Sequence, residues 1–247
     1  MDLGSSGLLK PRISAFPREG TDAPQGRCLL LFCLLLAMIL SGCAVNRAVL
    51  RDPLSPEEHN DLGVAYESRG ENSLARREYE AALNQNPASL VARMNLGNVL
   101  LKIGEWRAAE SAFEEVVARN SNHAAAYNNL AWALIEQKRR LPEALQFAQR
   151  ALDLDPDPGR SLYYRDTIGM AYLSLGNTAA AVATFRDLIA RADGSSLEFL
   201  GEVYYHLGLA YEQAGDRVQF LESMRKAKAL LPEGDLARRV LDKLQGN

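Results

Sequence analysis

The chain has 247 residues and a formal net charge of −3, and it is 47% hydrophobic but only 7% aromatic. No basic cluster stands out, which argues against a nucleic-acid partner, because phosphate binding needs lysine and arginine side chains grouped on one face. The three cysteines, Cys28, Cys33 and Cys43, all lie near the N-terminus, which excludes a disulfide scaffold and a thiolate metal site. Alanine and leucine outnumber β-branched residues, so the composition favours an all-α fold.

The first 42 residues have the order of features of an export signal. Basic side chains, at Lys10, Arg12, Arg18 and Arg27, precede an apolar run of 13 residues from Cys28 to Leu40. A membrane-spanning helix needs about 20 apolar residues, so the run is typical of a signal sequence. It ends in Leu40-Ser41-Gly42-Cys43, which resembles the lipobox of bacterial lipoproteins. The resemblance implies that residues 1–42 are a signal peptide and that Cys43 becomes the lipid-modified N-terminus.

An uncleaved inner-membrane anchor stays open as an alternative. An apolar run extended to Val45 has about 18 residues, which would just span a bilayer. Ala44 follows the cysteine, whereas an aspartate at that place commonly retains the lipoproteins that this segment resembles in the inner membrane. We therefore expect the outer membrane, with the protein facing the periplasm. Residues 43–55 are predicted to be a lipidated cysteine and flexible tether, which reaches roughly 40 Å when fully extended.

The remainder of the chain repeats itself every 34 residues. Small residues recur where two helices must approach closely, as at Gly97, and large ones recur where space must be filled, as at Phe113. A glycine at the turn and a proline after the second helix complete the pattern. This pattern resembles the tetratricopeptide repeat. We predict five repeats, at residues 56–89, 90–123, 124–158, 162–195 and 201–234.

The resemblance implies an all-α, right-handed superhelical solenoid of helix-turn-helix repeats. Residues 235–247 carry an apolar stripe and are predicted to form a helix that caps the last repeat. The sequence departs from the repeat pattern in three places. A longer turn is expected near residues 139–142 and a linker at residues 155–161. Phe220 and Met224 stand where a small residue and an aromatic one are usual.

In this family the first helix of each repeat lines a concave groove. Asn95 and Asn129 share one position in adjacent repeats, as in the asparagine ladder that grips peptide backbone in the O-linked sugar transferase of nucleocytoplasmic proteins. A carboxamide suits this role because it offers both a donor and an acceptor. The alternative is that the groove residues only pack against neighbouring helices or the capping helix. The predicted peptide-binding residues are Met94, Asn95, Asn98, Leu101, Asn128, Asn129, Trp132, Ile135, Met170 and Leu173.

We find no chemistry in the sequence that would support catalysis. His59, His123 and His206 fall in different repeats, and phosphate-loop and nucleophile-elbow sequences are absent. We expect no metal, no cofactor, no nucleic acid and no small-molecule substrate. Asn60, Val64 and Ala125 also stand where the carboxylate clamp of chaperone adaptors needs lysine, asparagine and a basic residue.

The leading hypothesis is a membrane-tethered scaffold that binds envelope proteins or peptides during assembly of an envelope complex, such as pilus, outer-membrane protein or cell-wall machinery. One alternative is an inner-membrane accessory subunit of an enzyme or export system. Another is a repeat protein that self-assembles through its groove.

Overall fold

The computed structural model describes residues 52–192 and 194–246, so the predicted signal peptide and Cys43 lie outside the described residues. The described residues form eleven helices and no strand. The helices are α1 (Pro56–Ser68), α2 (Asn72–Gln85), α3 (Leu90–Lys102), α4 (Trp106–Arg119), α5 (Ala124–Glu136), α6 (Leu141–Leu154), α7 (Pro158–Ser174), α8 (Thr178–Arg191), α9 (Leu197–Ala214), α10 (Arg217–Leu230) and α11 (Asp235–Gln245).

The first ten helices form five consecutive pairs, and each pair packs against the next. The first helices of neighbouring pairs also contact one another, from α1 through α3, α5 and α7 to α9. A stack in which one row of helices is drawn together in this way curves towards that row. The predicted five-repeat solenoid is confirmed, with the first helices on its concave side.

Glycines in the first helices make room for aromatic rings from the second. A Cβ placed on Gly97 would lie 2.5 Å from Cε1 of Phe113, and Gly63 has the same relation to Tyr79. Both rings are fully buried. In the last repeat, Gly208 instead faces the terminal methyl of Met224, which is the substitution that the sequence marks as a departure. A flexible thioether therefore replaces a rigid ring at this contact.

This difference predicts unequal costs for the same substitution. We expect Gly97→Ala to lower the free energy of unfolding by about 1–3 kcal/mol, because the ring of Phe113 has no free space into which to move. We expect Gly208→Ala to cost less, because the end of Met224 can rotate away. Urea unfolding followed by circular dichroism would measure both.

Gly159 provides the control for that comparison. It is also helical, but a Cβ placed there meets its nearest atom, Oδ1 of Asp157, at an ordinary 3.4 Å. Gly159→Ala should therefore leave stability unchanged or raise it slightly. Equal losses at Gly97 and Gly208 would show that the ring contact does not set the cost.

The turn of the third repeat differs from the others, as the sequence predicts. Glycines 70, 104, 176 and 215 end the first helices of the other repeats with φ between 75° and 78°. In the third repeat Lys138 and Arg140 adopt left-handed conformations, with φ of 53° and 48°. The guanidinium of Arg140 lies within 3.0 Å of carboxylate oxygens of Glu110, Glu114 and Glu143. These ion pairs help to hold a backbone conformation that non-glycine residues adopt at a cost.

Two first helices start earlier than the repeat pattern indicates. Helix α7 begins at Pro158, inside the segment 155–161 that the sequence suggests is a linker, and Asp157 caps it by accepting from the amides of residues 159 and 160. Helix α9 begins at Leu197, and Ser196 caps it in the same way. Each helix therefore gains about one turn at the end where the repeats meet.

The predicted capping helix is present as α11. Val240 is fully buried, and Leu236 and Leu244 pack against the hydrophobic cluster of the last two repeats. Lys243 forms an ion pair with Glu212 of α9, with an N to O distance of 2.7 Å. The apolar stripe and this ion pair close the C-terminal end of the solenoid.

Candidate functional site

The concave side contains a cavity of about 490 Å³. Its wall comes from the first helices of the second to fifth repeats and from the capping helix. The lining residues are Leu101 of α3, Asn128, Asn129, Trp132 and Glu136 of α5, Tyr163, Asp166, Thr167 and Met170 of α7, Glu202, Tyr205, His206 and Leu209 of α9, and Leu236 and Arg239 of α11.

The structure divides the predicted groove residues into two sets. Leu101, Asn128, Asn129, Trp132 and Met170 all line the cavity. The remaining predicted residues, Met94, Asn95, Asn98, Ile135 and Leu173, lie outside its lining.

Ile135 has to be corrected as a groove residue. It is only 4% exposed, and it packs within the hydrophobic cluster of the second to fourth repeats. Met94 is partly buried and packs against the same cluster. Leu173 is also partly buried and packs against the hydrophobic cluster of the last two repeats. The groove positions of the family therefore include side chains that serve the core of this chain.

The asparagines hydrogen-bond to one another across the repeats. Asn129 donates from Nδ2 to Oδ1 of Asn98 at 2.8 Å, and Asn95 donates in the same way to Asn60 at 3.0 Å. Asn128 donates to Oδ1 of Asn129 at 3.2 Å. Each carboxamide has two N–H donors and two acceptor lone pairs, so these bonds use only part of its capacity. The ladder links neighbouring repeats and keeps some groups free for a ligand.

Asn128 has one unsatisfied group. Its Oδ1 is buried, and no hydrogen-bond donor among the described residues reaches it. Buried polar atoms of native proteins almost always have a partner, either another protein group or an ordered water. The hydrogen-bonding capacity of this oxygen, which belongs to a cavity-lining residue, is therefore unused within the described part of the chain.

A largely buried histidine and carboxylate pair connects the fourth and fifth repeats at the cavity. Nδ1 of His206 lies 2.8 Å from Oδ1 of Asp166, and both side chains are 12% exposed. Burial opposes the charge of the imidazole, but Asp166, Glu202 and Glu136 together outweigh burial and raise the pKa of His206 above its usual value. Burial also raises the pKa of Glu202. The charges of His206 and of the neighbouring carboxylates therefore affect one another in this part of the cavity wall.

This pair predicts that stability falls as the pH rises. The folded-state pKa of His206 lies above the unfolded value of 6.5. The contribution of His206 to stability is therefore fully present below about pH 6.5, and it is lost as the pH rises through the folded-state pKa. We expect the free energy of unfolding from urea titrations to decrease above about pH 6.5, and to decrease less in His206→Gln. Identical slopes in the two proteins would contradict this assignment.

Ten lining residues lie outside the predicted set, among them Glu202 and the two residues from the capping helix. Glu202 lies one turn before His206, so the early start of α9 brings both onto the same face. The start signal was present, because Ser196 is a good helix cap ahead of Leu197. Arg239 lies on the polar side of the capping stripe, and the sequence gives no sign that this side faces the cavity.

Metal binding has no structural support in residues 52–192 and 194–246, which contain no group of three or more histidine, cysteine, aspartate or glutamate side chains arranged to hold an ion. Within these ranges no helix is long and apolar enough to cross a membrane.

A family model for the tetratricopeptide repeat matches residues 94–158 and 167–235, which together make up more than half of the chain. The chain belongs to the tetratricopeptide repeat family. Proteins of this family bind peptides or other proteins, and their fold generally serves as a scaffold without catalytic activity.

Two bacterial relatives belong to assembly and synthesis systems. The chain is 30% identical over 170 residues to the type IV pilus assembly protein PilF of Pseudomonas aeruginosa, covering 64% of each chain. It is 30% identical over 151 residues to the putative cellulose synthase operon protein C of Escherichia coli, covering 61% of this chain and 13% of that protein. The match thus spans less than two thirds of either relative.

Solved structures show the same tetratricopeptide fold. The TPR protein TTC0263 of Thermus thermophilus superposes with a TM-score of 0.64 at 24% identity, covering 77% of this chain and 100% of that one. YrrB, described as a TPR protein with an unusual peptide-binding site, gives a TM-score of 0.52 at 20% identity, covering 80% of this chain and 97% of that one. At such identities the likeness concerns the fold.

Proposed function

We propose that this tetratricopeptide repeat protein is a membrane-tethered scaffold of the bacterial cell envelope that binds a partner protein or peptide through its concave groove. The observation that carries the proposal is the cavity on the concave side, to which four consecutive repeats and the capping helix contribute. The role is one of binding, without catalysis.

The wall of the cavity has the composition of a recognition site. Trp132 and Tyr163 combine apolar rings with polar groups, and Tyr163 is 55% exposed although it packs on Phe199. Such aromatic residues contribute most of the binding energy in many interfaces. Ligand pockets typically measure about 300–1,000 Å³, so this one suits one or two side chains of a longer segment.

The asparagines supply the complementary polar contacts. The bonds between Asn129 and Asn98 and between Asn95 and Asn60 orient the carboxamides before a ligand arrives. Preorganised groups lose less conformational entropy on binding. Their remaining donors and acceptors suit the backbone of an extended segment regardless of its side chains.

The membrane tether is proposed from the lipobox-like sequence that ends at Cys43. A lipidated Cys43 followed by residues 44–55 would keep the solenoid within roughly 40 Å of the bilayer. Confinement to one membrane raises the effective concentration of partners there, so a groove with low affinity for its partner suffices. Outer-membrane attachment, with the protein facing the periplasm, remains our proposal for its location.

The similarity to PilF supports a role in assembling an envelope complex, since the name of that relative records pilus assembly. The similarity to the cellulose synthase operon protein supports a second candidate, an accessory subunit of an enzyme or export system with an inner-membrane anchor. The two candidates differ in whether Cys43 carries a lipid or lies in an uncleaved anchor.

Two tryptophans provide a matched test of groove binding. Trp132 lines the cavity, whereas Trp106 begins α4 at a turn outside it. We expect Trp132→Ala to reduce the recovery of specific partners that copurify with the full-length protein from detergent-solubilised membranes, and Trp106→Ala to leave recovery unchanged at equal folded amounts. Equal recovery with both variants would contradict groove binding.

A further inference from the structure

The lining of the cavity carries more negative than positive charge. Glu136, Asp166 and Glu202 contribute carboxylates, against which stand His206 and the exposed Arg239. Oδ1 of Asp166 already pairs with Nδ1 of His206, at a distance of 2.8 Å. The side chain of Glu136, which is exposed, and that of Glu202, which is half-buried, form no hydrogen bond or ion pair with any residue that the structure describes. The cavity therefore presents two carboxylates that no ion pair engages, beside two groups that can carry positive charge.

These carboxylates border one corner of the cavity, which is formed by Trp132 and Glu136 of α5 and by Glu202 and His206 of α9. Glu136 follows Trp132 by one turn on α5, and Glu202 precedes His206 by one turn on α9, so each pair shares a helix face. The rings of Trp132 and His206 lie 6.2 Å apart between centroids. Both glutamates favour the charged form of His206. The corner thus joins an aromatic ring to negative charge.

Two further observations indicate that this corner lacks a partner. Burial raises the pKa of Glu202, so its charged form is incompletely solvated. The buried Oδ1 of Asn128, in the same cavity wall, has no donor among residues 52–192 and 194–246. A positively charged ligand beside Glu202 would offset the incomplete solvation of that carboxylate. Trp132 adds a favourable surface for a cation.

We propose that this corner receives a lysine or arginine side chain from an extended, otherwise apolar segment of the partner protein. The inference rests on the proposed function, because it names the residue type that the groove selects. Neighbouring Leu101, Met170 and Leu209 contact the apolar residues on either side. The charge complementarity favours such a basic segment over an acidic one.

A peptide selection tests the preference without a known partner. A randomised library of 11-residue peptides is displayed on phage, selected on the full-length protein in detergent, and counter-selected on Trp132→Ala. We expect the enriched peptides to share a lysine or arginine flanked by apolar residues. Replacing that basic residue with glutamine should weaken binding about tenfold in fluorescence anisotropy, which is the size expected for one close charge pair.

Charge-neutral variants assign the preference to this corner. In Glu202→Gln and Glu136→Gln, the lysine and glutamine versions of the peptide should bind more nearly alike. Arg239→Gln removes the exposed cation of the wall and should tighten the lysine peptide. Asp153→Asn is the matched control, because Asp153 is exposed on α6 outside the cavity, and it should behave as the wild type.

The outcomes separate this inference from the proposed function. Peptides that depend on Trp132 but show no basic preference would overturn the inference and leave groove binding intact. The absence of any Trp132-dependent enrichment would overturn both. A solution mass that rises with concentration in the wild type but not in Glu202→Gln would assign the cavity to a second copy of this chain, which also overturns the inference.

Discussion

Replacing Phe113 with alanine is expected to lower the free energy of unfolding by about 3–5 kcal/mol. The ring is fully buried in the cluster that joins the second, third and fourth repeats, and it fills the space that Gly97 leaves open. Its removal loses apolar burial and leaves a cavity between helices that cannot close without moving the next repeat. Urea unfolding followed by circular dichroism would measure the loss.

Phe147 supplies a matched control of the same residue type. It is only partly buried on α6, where its ring lies 5.8 Å from that of Tyr127. Phe147→Ala should therefore cost clearly less than Phe113→Ala. If the two variants lost the same stability, close packing between the paired helices would not be the main source of repeat stability.

The second large effect is expected outside the described residues, at Cys43. We predict that the wild-type protein incorporates labelled palmitate and lacks residues 1–42, and that Cys43→Ala incorporates no palmitate and is not processed at this site. The reason is chemical, since only the cysteine sulfur can carry the acyl glyceride. Each buried methylene of an acyl chain contributes about 0.8 kcal/mol to membrane binding, so the lipid would dominate attachment.

Cys28→Ala and Cys33→Ala are the controls for that experiment, because both cysteines precede Cys43 within residues 1–42. They should leave lipid labelling of the mature protein unchanged. A Cys43→Ala protein that keeps both its size and its membrane attachment would contradict lipidation and support the uncleaved anchor.

The solenoid was predictable because its packing needs recur at fixed spacing. Gly97 with Phe113 and Gly63 with Tyr79 are close contacts between paired helices, and each leaves a small and a large residue in the sequence at the same separation. The capping helix left an equally direct signal. Its single apolar stripe contains Val240, which is fully buried.

The detailed cavity was harder to predict, because it depends on contacts between repeats. The family pattern gives the faces of helices, but it does not tell which side chains a particular chain uses for its core, and Ile135 is one of them. The bond between Asn129 and Asn98 depends on the stagger of two repeats. The early start of α9, which brings Glu202 into the wall, lies outside the 34-residue pattern.

Photo-crosslinking in living cells would show whether the concave groove binds an envelope partner. A photoreactive residue would replace Trp132 in the cavity or, as a control, Trp106 at the turn outside it. We expect a discrete adduct with an envelope protein from position 132 and none from position 106, at equal amounts of folded protein. Adducts of equal yield from both positions, or none from position 132, would contradict binding in the groove.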